Sequence, residues 1–311
     1  MTRGVRRLST EIIKDSLPKL QRPEEVYLNS HWTDKLHANA THLIGFGFDG
    51  TACFRKGTKD GPDALRIISD GIEDYSPYLK SGTDEIRKFY DLGNLNVGTS
   101  DDADANWKQA TDEFLEIFSD VDLKESGIKT LTLGGEHSIS FAPLKTYLDQ
   151  YDDLVVIHLD AHADLRDGYL GHHYSHASII RRALDHFKDG HELIQYGIRS
   201  GTKDEFNWMH EHGTIKTSRA DFLEAVSSIA NDRPIYLTFD LDYFDPSFFP
   251  GTGTPEPGGE DFHSFISFVK ILMNKNFVGC DVVELSPVID PTGNSDVFAA
   301  KVVRELLIAL N

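Results

Sequence analysis

Short apolar runs alternate along the chain with stretches of helical character, and loops rich in glycine and polar residues separate the two. The runs at 42–48 (HLIGFGF), 88–92 (KFYDL), 128–133 (IKTLTL), 154–159 (LVVIHL), 193–198 (LIQYGI), 235–239 (IYLTF) and 277–285 (FVGCDVVEL) are predicted strands. Helices are predicted from Pro62 onward, over 103–118, up to about Tyr151, from near His176 through RRALDHF, and over 202–212, 221–230, 262–273 and 295–310. Pro62 suits a first helical turn, because its fixed φ is already helical and the N–H it lacks would have no partner there. Strands alternating with helices imply right-handed βαβ units and a mostly parallel sheet covered on both faces. In such sheets ligands bind outside the carboxyl ends of the strands. With no internal repeat and no low-complexity segment, the chain divides into an N-terminal arm at 1–38 and a single domain at 39–311.

Composition narrows the function classes. The 311 residues are 40% hydrophobic, enough for a sizeable core. Fifty acidic against 31 basic residues give a formal charge of −19, which argues against a nucleic-acid partner. That charge serves solubility first, and it is compatible with a cationic small molecule. The two cysteines, Cys53 and Cys280, have no CxxC spacing and read as thiols of a cytoplasmic protein. The first fifteen residues hold three arginines but no apolar signal-peptide core, and nothing approaches the ~20 apolar residues of a membrane span.

The candidate chemistry gathers at predicted strand ends. In LVVIHLDAHADLRD (154–167), Asp160, His162 and Asp164 follow the apolar run at every second position, so they project from one side of an extended chain. Asp240 and Asp242 repeat that spacing after the strand at 235–239. His137 follows Gly134–Gly135, where missing β-carbons permit close approach of backbones. Glu284 lies near the end of the strand at 277–285, and His176 lies where a loop turns into a helix. Two imidazoles and four carboxylates exceed the four ligands of a structural zinc and suit two divalent ions sharing carboxylates. Nitrogen and oxygen donors without thiolate favour Mn²⁺, with Fe²⁺, Co²⁺, Ni²⁺ and Zn²⁺ also compatible. Plainer readings apply to the neighbours: His158 as a hydrogen-bonded core histidine, Glu136 as a supporting or helix-capping group, His172, His173 and His263 as solvated side chains. Arg166 is expected to pair with Asp167 or another acid rather than with a substrate carboxylate.

GGEHS (134–138), DAHADLRD (160–167), YSH (174–176), FDLDYFDP (239–246), PGTGTPEPGG (250–259) and DVVELSP (281–287) together resemble the ureohydrolase family of arginases and agmatinases, its agmatinase branch most of all. GFGFDGTACFRKGTKDGPDALR (45–66) is similar to the family's first strand, loop and helix, so the resemblance covers nearly everything after residue 40. It implies a three-layer α/β arginase-like fold with a parallel eight-stranded sheet, assembled into homo-trimers or homo-hexamers. It also implies two Mn²⁺ per chain, one held by His137, Asp160, Asp164 and Asp240 and the other by Asp160, His162, Asp240 and Asp242, with Asp160 and Asp240 bridging. Asp164 would also hold a bridging hydroxide, His176 would move the proton, and Glu284 would receive the substrate guanidinium. The implied reaction cleaves a small cationic guanidino compound, agmatine first, to urea and putrescine. Alternatives are guanidinobutyrate, guanidinopropionate or arginine as substrate, a catalytically silent metal-binding paralogue, and a mononuclear deacetylase of related fold, which would not need both His137 and Asp164. Gly47 stands where the branch often has proline, and Ala52–Cys53 replace small hydroxyl residues, departures that bear on the pocket entrance rather than the metal centre.

Overall fold

The computed structural model describes residues 11–311, so the first ten residues of the predicted arm lie outside the described residues. Its elements begin with β1 (Ile12–Lys14), β2 (His31–Trp32), β3 (Leu36–His37), β4 (Thr41–Phe46), α1 (Gly61–Ser69), β5 (Tyr75–Ser76), β6 (Ser81–Gly82) and β7 (Phe89–Asn94). Next come α2 (Ala103–Phe118), α3 (Leu123–Ser126), β8 (Lys129–Gly134), α4 (Phe141–Gln150), β9 (Val155–Leu159), α5 (Ile179–Leu184) and β10 (Glu192–Tyr196). The chain continues through α6 (Lys203–His212), β11 (Ile215–Lys216), α7 (Arg219–Ser228), β12 (Pro234–Asp240), α8 (Phe262–Leu272), β13 (Asn276–Val283) and α9 (Asn294–Ala309).

One parallel sheet runs in the order β11-β10-β9-β12-β13-β8-β4-β7-β2. It has nine strands rather than eight because two-residue strands flank the seven long ones, too short to show as apolar runs. Alternate strand residues feed two cores. Leu43, Leu131, Ile157, Leu237 and Val282 pack with α1, α7, α8 and α9, whereas Ile44, Val156 and Tyr236 pack with α2, α4, α5 and α6. This is the three-layer architecture the pattern implied. Within residues 11–38, β1 and β3 form a separate antiparallel pair, and the segment is knitted onto the domain by β2 at the sheet edge, by Gln21 and Asn94 exchanging backbone hydrogen bonds, and by the Tyr27 hydroxyl donating to the Ala300 carbonyl.

Two boundaries differ from expectation for visible reasons. The last strand stops at Val283, because Glu284 adopts a left-handed φ of 68° that no strand continues. The helix after His176 ends at Leu184, and His186 and Phe187 close single turns onto Ala183 and Leu184 instead.

A row of polar residues crosses the sheet centre. Gln195, His158, Thr238, Asp281 and Thr132 stand side by side on β10, β9, β12, β13 and β8, all fully buried. Asp281 reaches this row through a register shift at Ile235/Tyr236, which leaves Val278 unpaired and changes the parity of everything after it.

Candidate metal centre

Four adjacent central strands, β9, β12, β13 and β8, deliver the site at their carboxyl ends. After β8 the backbone passes so close to the first loop that a β-carbon on Gly135 would fall 2.0 Å from the Phe48 carbonyl oxygen. The Glu136 amide donates to that same carbonyl, and the turn sets His137 pointing over the sheet. Asp160, His162 and Asp164 follow β9, and Asp240 and Asp242 end β12. Asp164 and Glu284 are both left-handed, with φ of 52° and 68°, conformations that non-glycine residues hold only when their surroundings enforce them.

Two ligand groups share Asp160. His137 Nδ1 lies 2.9 Å from Asp160 Oδ2, 3.0 Å from Asp164 Oδ2 and 3.4 Å from Asp240 Oδ2. His162 Nδ1 lies 2.9 Å from Asp242 Oδ2 and 3.5 Å from Asp160 Oδ1. Each oxygen of Asp160 therefore faces one group, the disposition of a bridging carboxylate. Asp240 stands closer to the first group, and its Oδ1 accepts the Asp242 amide at 2.8 Å. His158 also comes near, but its ring is spent. Gln195 Nε2, oriented by Thr214 donating to Gln195 Oε1, donates to His158 Nδ1, so His158 Nε2–H donates to Asp160 Oδ2 at 2.8 Å.

The electrostatics ask for cations. Burial and the neighbouring Asp160 carboxylate push Asp164 up to about 6. Burial, Asp242 and Asp160 push Asp240 well above the carboxylate range, and burial and Glu136 do the same to Glu284. Burial would raise Asp160 too, but His137, His158 and His162 hold it well below. His137 Nδ1 is buried and, despite three nearby carboxylate oxygens, aligned with none of them for a hydrogen bond. An orphaned ring nitrogen facing converging carboxylates fits a divalent ion, and the oxygen and nitrogen donors fit a hard to borderline one.

Above the ligands lies a cavity of about 210 Å³ whose lining includes Cys53, Arg166, Tyr169, His176, Glu205 and Glu284. His176 is held from behind. Thr51 Oγ1 donates to Glu136, so its two lone pairs accept the His176 amide at 3.3 Å and His176 Nδ1–H at 3.2 Å, leaving Nε2 as the acceptor nitrogen. Burial and positive charge on His162 and His137 lower His176 to about 4, so the ring is neutral at physiological pH. Glu284 Oε1 accepts the His137 amide at 2.9 Å.

Arg166 departs from expectation. Arg182 takes Asp167, while the Arg166 guanidinium lies 4.5 Å from the Tyr169 ring centroid, beside the cavity, with no carboxylate partner among the described residues. His172 pairs with Asp104, His173 meets Arg182, and His263 is exposed. Sequence reasoning missed Thr51, Thr238 and Asp281. Only Asp281 left a trace, as a charged residue within an apolar run.

The arginase family model matches residues 39–309. An agmatinase of Bacillus anthracis is 35% identical over 91% of this chain and 96% of its own length. A guanidinobutyrase of Pseudomonas aeruginosa is 30% identical over 94% of this chain and 90% of its own. The structure of proclavaminate amidinohydrolase from Streptomyces clavuligerus superposes with a TM-score of 0.80 at 26% identity, covering 93% of this chain and 97% of that one. No helix among the described residues is long and apolar enough to cross a membrane.

Proposed function

We propose, for a chain that belongs to the arginase family and is a ureohydrolase-type hydrolase of guanidino groups, that its substrate is agmatine and that it works with two Mn²⁺ ions. The observation that carries the two-ion reading is Asp160, whose two oxygens each face a different histidine-bearing ligand group on the cavity floor. His137, Asp160, Asp164 and Asp240 would hold one ion, and Asp160, His162, Asp240 and Asp242 the other. When bound, the pair supplies a water acidic enough to be hydroxide near neutral pH.

The chain's own residues do the rest. A guanidinium stays protonated at neutral pH, and Glu284 lines the cavity with one carboxylate oxygen tied to the His137 amide, so it receives the cation in a fixed orientation. Resonance makes the guanidinium carbon a poor electrophile, and an amide anion is a prohibitive leaving group. The amine must therefore gain a proton as its C–N bond breaks. His176 presents Nε2 on the cavity side of a ring anchored at Nδ1, so it takes up the proton given up by the attacking water and returns it to the departing amine. The products are urea and putrescine. By the same family likeness the chain would work as a homo-trimer or homo-hexamer in the cytoplasm.

Agmatine is preferred because the four Asp ligands balance two divalent charges, leaving Glu284 and Glu205 against Arg166, a net negative wall suited to a dication. Guanidinobutyrate is the second reading, favoured by the Arg166 guanidinium beside the cavity. Urea release from a panel of guanidino compounds with Mn²⁺ tests both. Agmatine should exceed arginine in kcat/KM by at least about tenfold, roughly 1.4 kcal/mol of transition-state discrimination. Faster turnover of an acid-tailed compound would replace agmatine.

A further inference from the structure

Beneath the ligands, the polar row across the sheet has no need to be polar for folding. Five side chains in the middle of a parallel sheet, all fully buried, would ordinarily be apolar. Buried polar groups are stabilising only when fully paired, and well-packed apolar replacements of such networks are often neutral or stabilising.

The hydrogen-bond directions within the row are determined one from another. Asp281 Oδ1 lies 2.8 Å from Ser140 Oγ and 2.8 Å from Thr238 Oγ1, and Asp281 Oδ2 lies 2.8 Å from the Tyr236 hydroxyl. Three hydroxyls converge on one carboxylate, so each donates. Thr238 has a single hydrogen, already committed to Asp281, and its oxygen lies 2.9 Å from His137 Nε2. That contact is a hydrogen bond only if His137 donates from Nε2. Nδ1 is then the nitrogen with the free lone pair, and it is the one that stands among Asp160, Asp164 and Asp240.

We infer that Thr238 and Asp281 are positioning residues for the first metal ion, because Thr238, oriented by Asp281, keeps the His137 hydrogen on Nε2 and leaves Nδ1 open to the ion. This rests on the two-ion reading above for the identity of the ligand, but not on the choice of substrate. Hydrogen-bond partners of this kind typically account for 10–100-fold in metal affinity when removed. The other candidate histidine ligand has no such support among the described residues: the contact behind His162 Nε2 is Glu256 at 3.9 Å, a distance too long for a hydrogen bond, on a partly exposed side chain.

The test is metal affinity, measured by competition with a chelating indicator, alongside thermal melting of the metal-free protein. Thr238→Val removes the hydroxyl at nearly constant shape. It should weaken one of the two ions by about 10–100-fold and leave the other unchanged, while the metal-free protein keeps a cooperative melt, lowered only by the two hydrogen bonds that Asp281 and His137 lose. Thr238→Ser, which restores the hydroxyl, should return the affinity to within a few-fold. Wild-type affinity for both ions in Thr238→Val would overturn the inference, as would a serine variant as impaired as the valine one. If the valine variant fails to fold, ¹⁵N-histidine spectra of the metal-free wild-type protein, taken at a pH where the ring is neutral, decide. The His137 hydrogen on Nε2 supports the inference, and on Nδ1 it ends it. A wild-type chain binding a single ion would instead contradict the two-ion reading, a separate outcome.

Discussion

Removing the Thr51 hydroxyl should impair proton movement without touching substrate or metal. Thr51 is buried, is not part of the cavity lining, and meets His176 through its oxygen, which accepts from Nδ1–H at 3.2 Å and from the His176 amide at 3.3 Å while donating to Glu136. Thr51→Val leaves the ring free to carry its hydrogen on either nitrogen and leaves Nδ1–H without its partner. Glu136 keeps the Thr51 amide at 2.9 Å and the Ser138 hydroxyl at 2.6 Å, so the loop stays anchored. Three hydrogen bonds are lost, but only the neutral one to the ring bears on proton movement, and its worth of about 0.5–1.5 kcal/mol net converts to a fall in kcat of roughly two- to twelvefold. KM and metal content should stay at wild-type values. His176→Asn, which removes the ring itself, should cost roughly 10²–10⁴ in kcat, and Thr51→Ser should recover most of the rate. Steady-state kinetics with urea detection, paired with metal analysis, reads all three variants. The reasoning is refuted if Thr51→Val turns over like wild type while His176→Asn is impaired, or if the serine variant falls as far as the valine one.

Asp160→Asn should disturb both ions and Asp242→Asn one, as read by metal analysis after gel filtration; equal losses from the two variants would remove Asp160 as the bridge. Arg166→Ala should abolish any turnover of acid-tailed compounds and leave agmatine turnover intact or improved, whereas a large loss with agmatine would show that Arg166 shapes the cavity instead. A bulky maleimide should modify one thiol per native chain and block activity, because Cys53 is exposed on the cavity lining and Cys280 is buried; Cys53→Ser should resist it, and full modification without loss of rate would misplace the entrance. In the metal-free protein burial and the neighbouring Asp160 carboxylate push Asp164 up to about 6, and burial with Asp242 and Asp160 pushes Asp240 well above the carboxylate range, so a bound metal must displace protons from them. Apparent affinity should thus rise with pH, and calorimetry in buffers of different ionisation enthalpy should detect proton release; pH-independent binding would contradict it.

The clustering of Asp160, His162 and Asp164 after β9 with Asp240 and Asp242 at the end of β12 was legible because strand periodicity is a local property: spacing two after an apolar run favours side chains on one face. Glu284 was legible as a residue but not as a conformation, since its left-handed turn depends on the Gly135 carbonyl that its amide meets. Thr238 and Asp281 could not be paired in advance. Their adjacency arises from inter-strand register and from the shift around Val278, which a single line of sequence does not display. The same holds for Arg166 and Arg182, where two arginines compete for one aspartate and only tertiary placement decides.

The shared face of the β9 residues also sets where the chain tolerates a change of length. His158 lies on β9, and Asp160, His162 and Asp164 follow within five residues of its end. Deleting one residue within Val155–Leu159 while the start of the strand keeps its pairing turns the end of β9 to the opposite face and carries Asp160, His162 and Asp164 with it, so the three candidate ligands that follow β9 are lost at once. Deleting one residue from the largely exposed turn at 185–191 moves no ligand, because β10 re-anchors the register beyond it. A scan of single-residue deletions should therefore show an abrupt edge at the start of β9, with every position in the strand as damaging as loss of a ligand itself, including those whose side chains only fill the core.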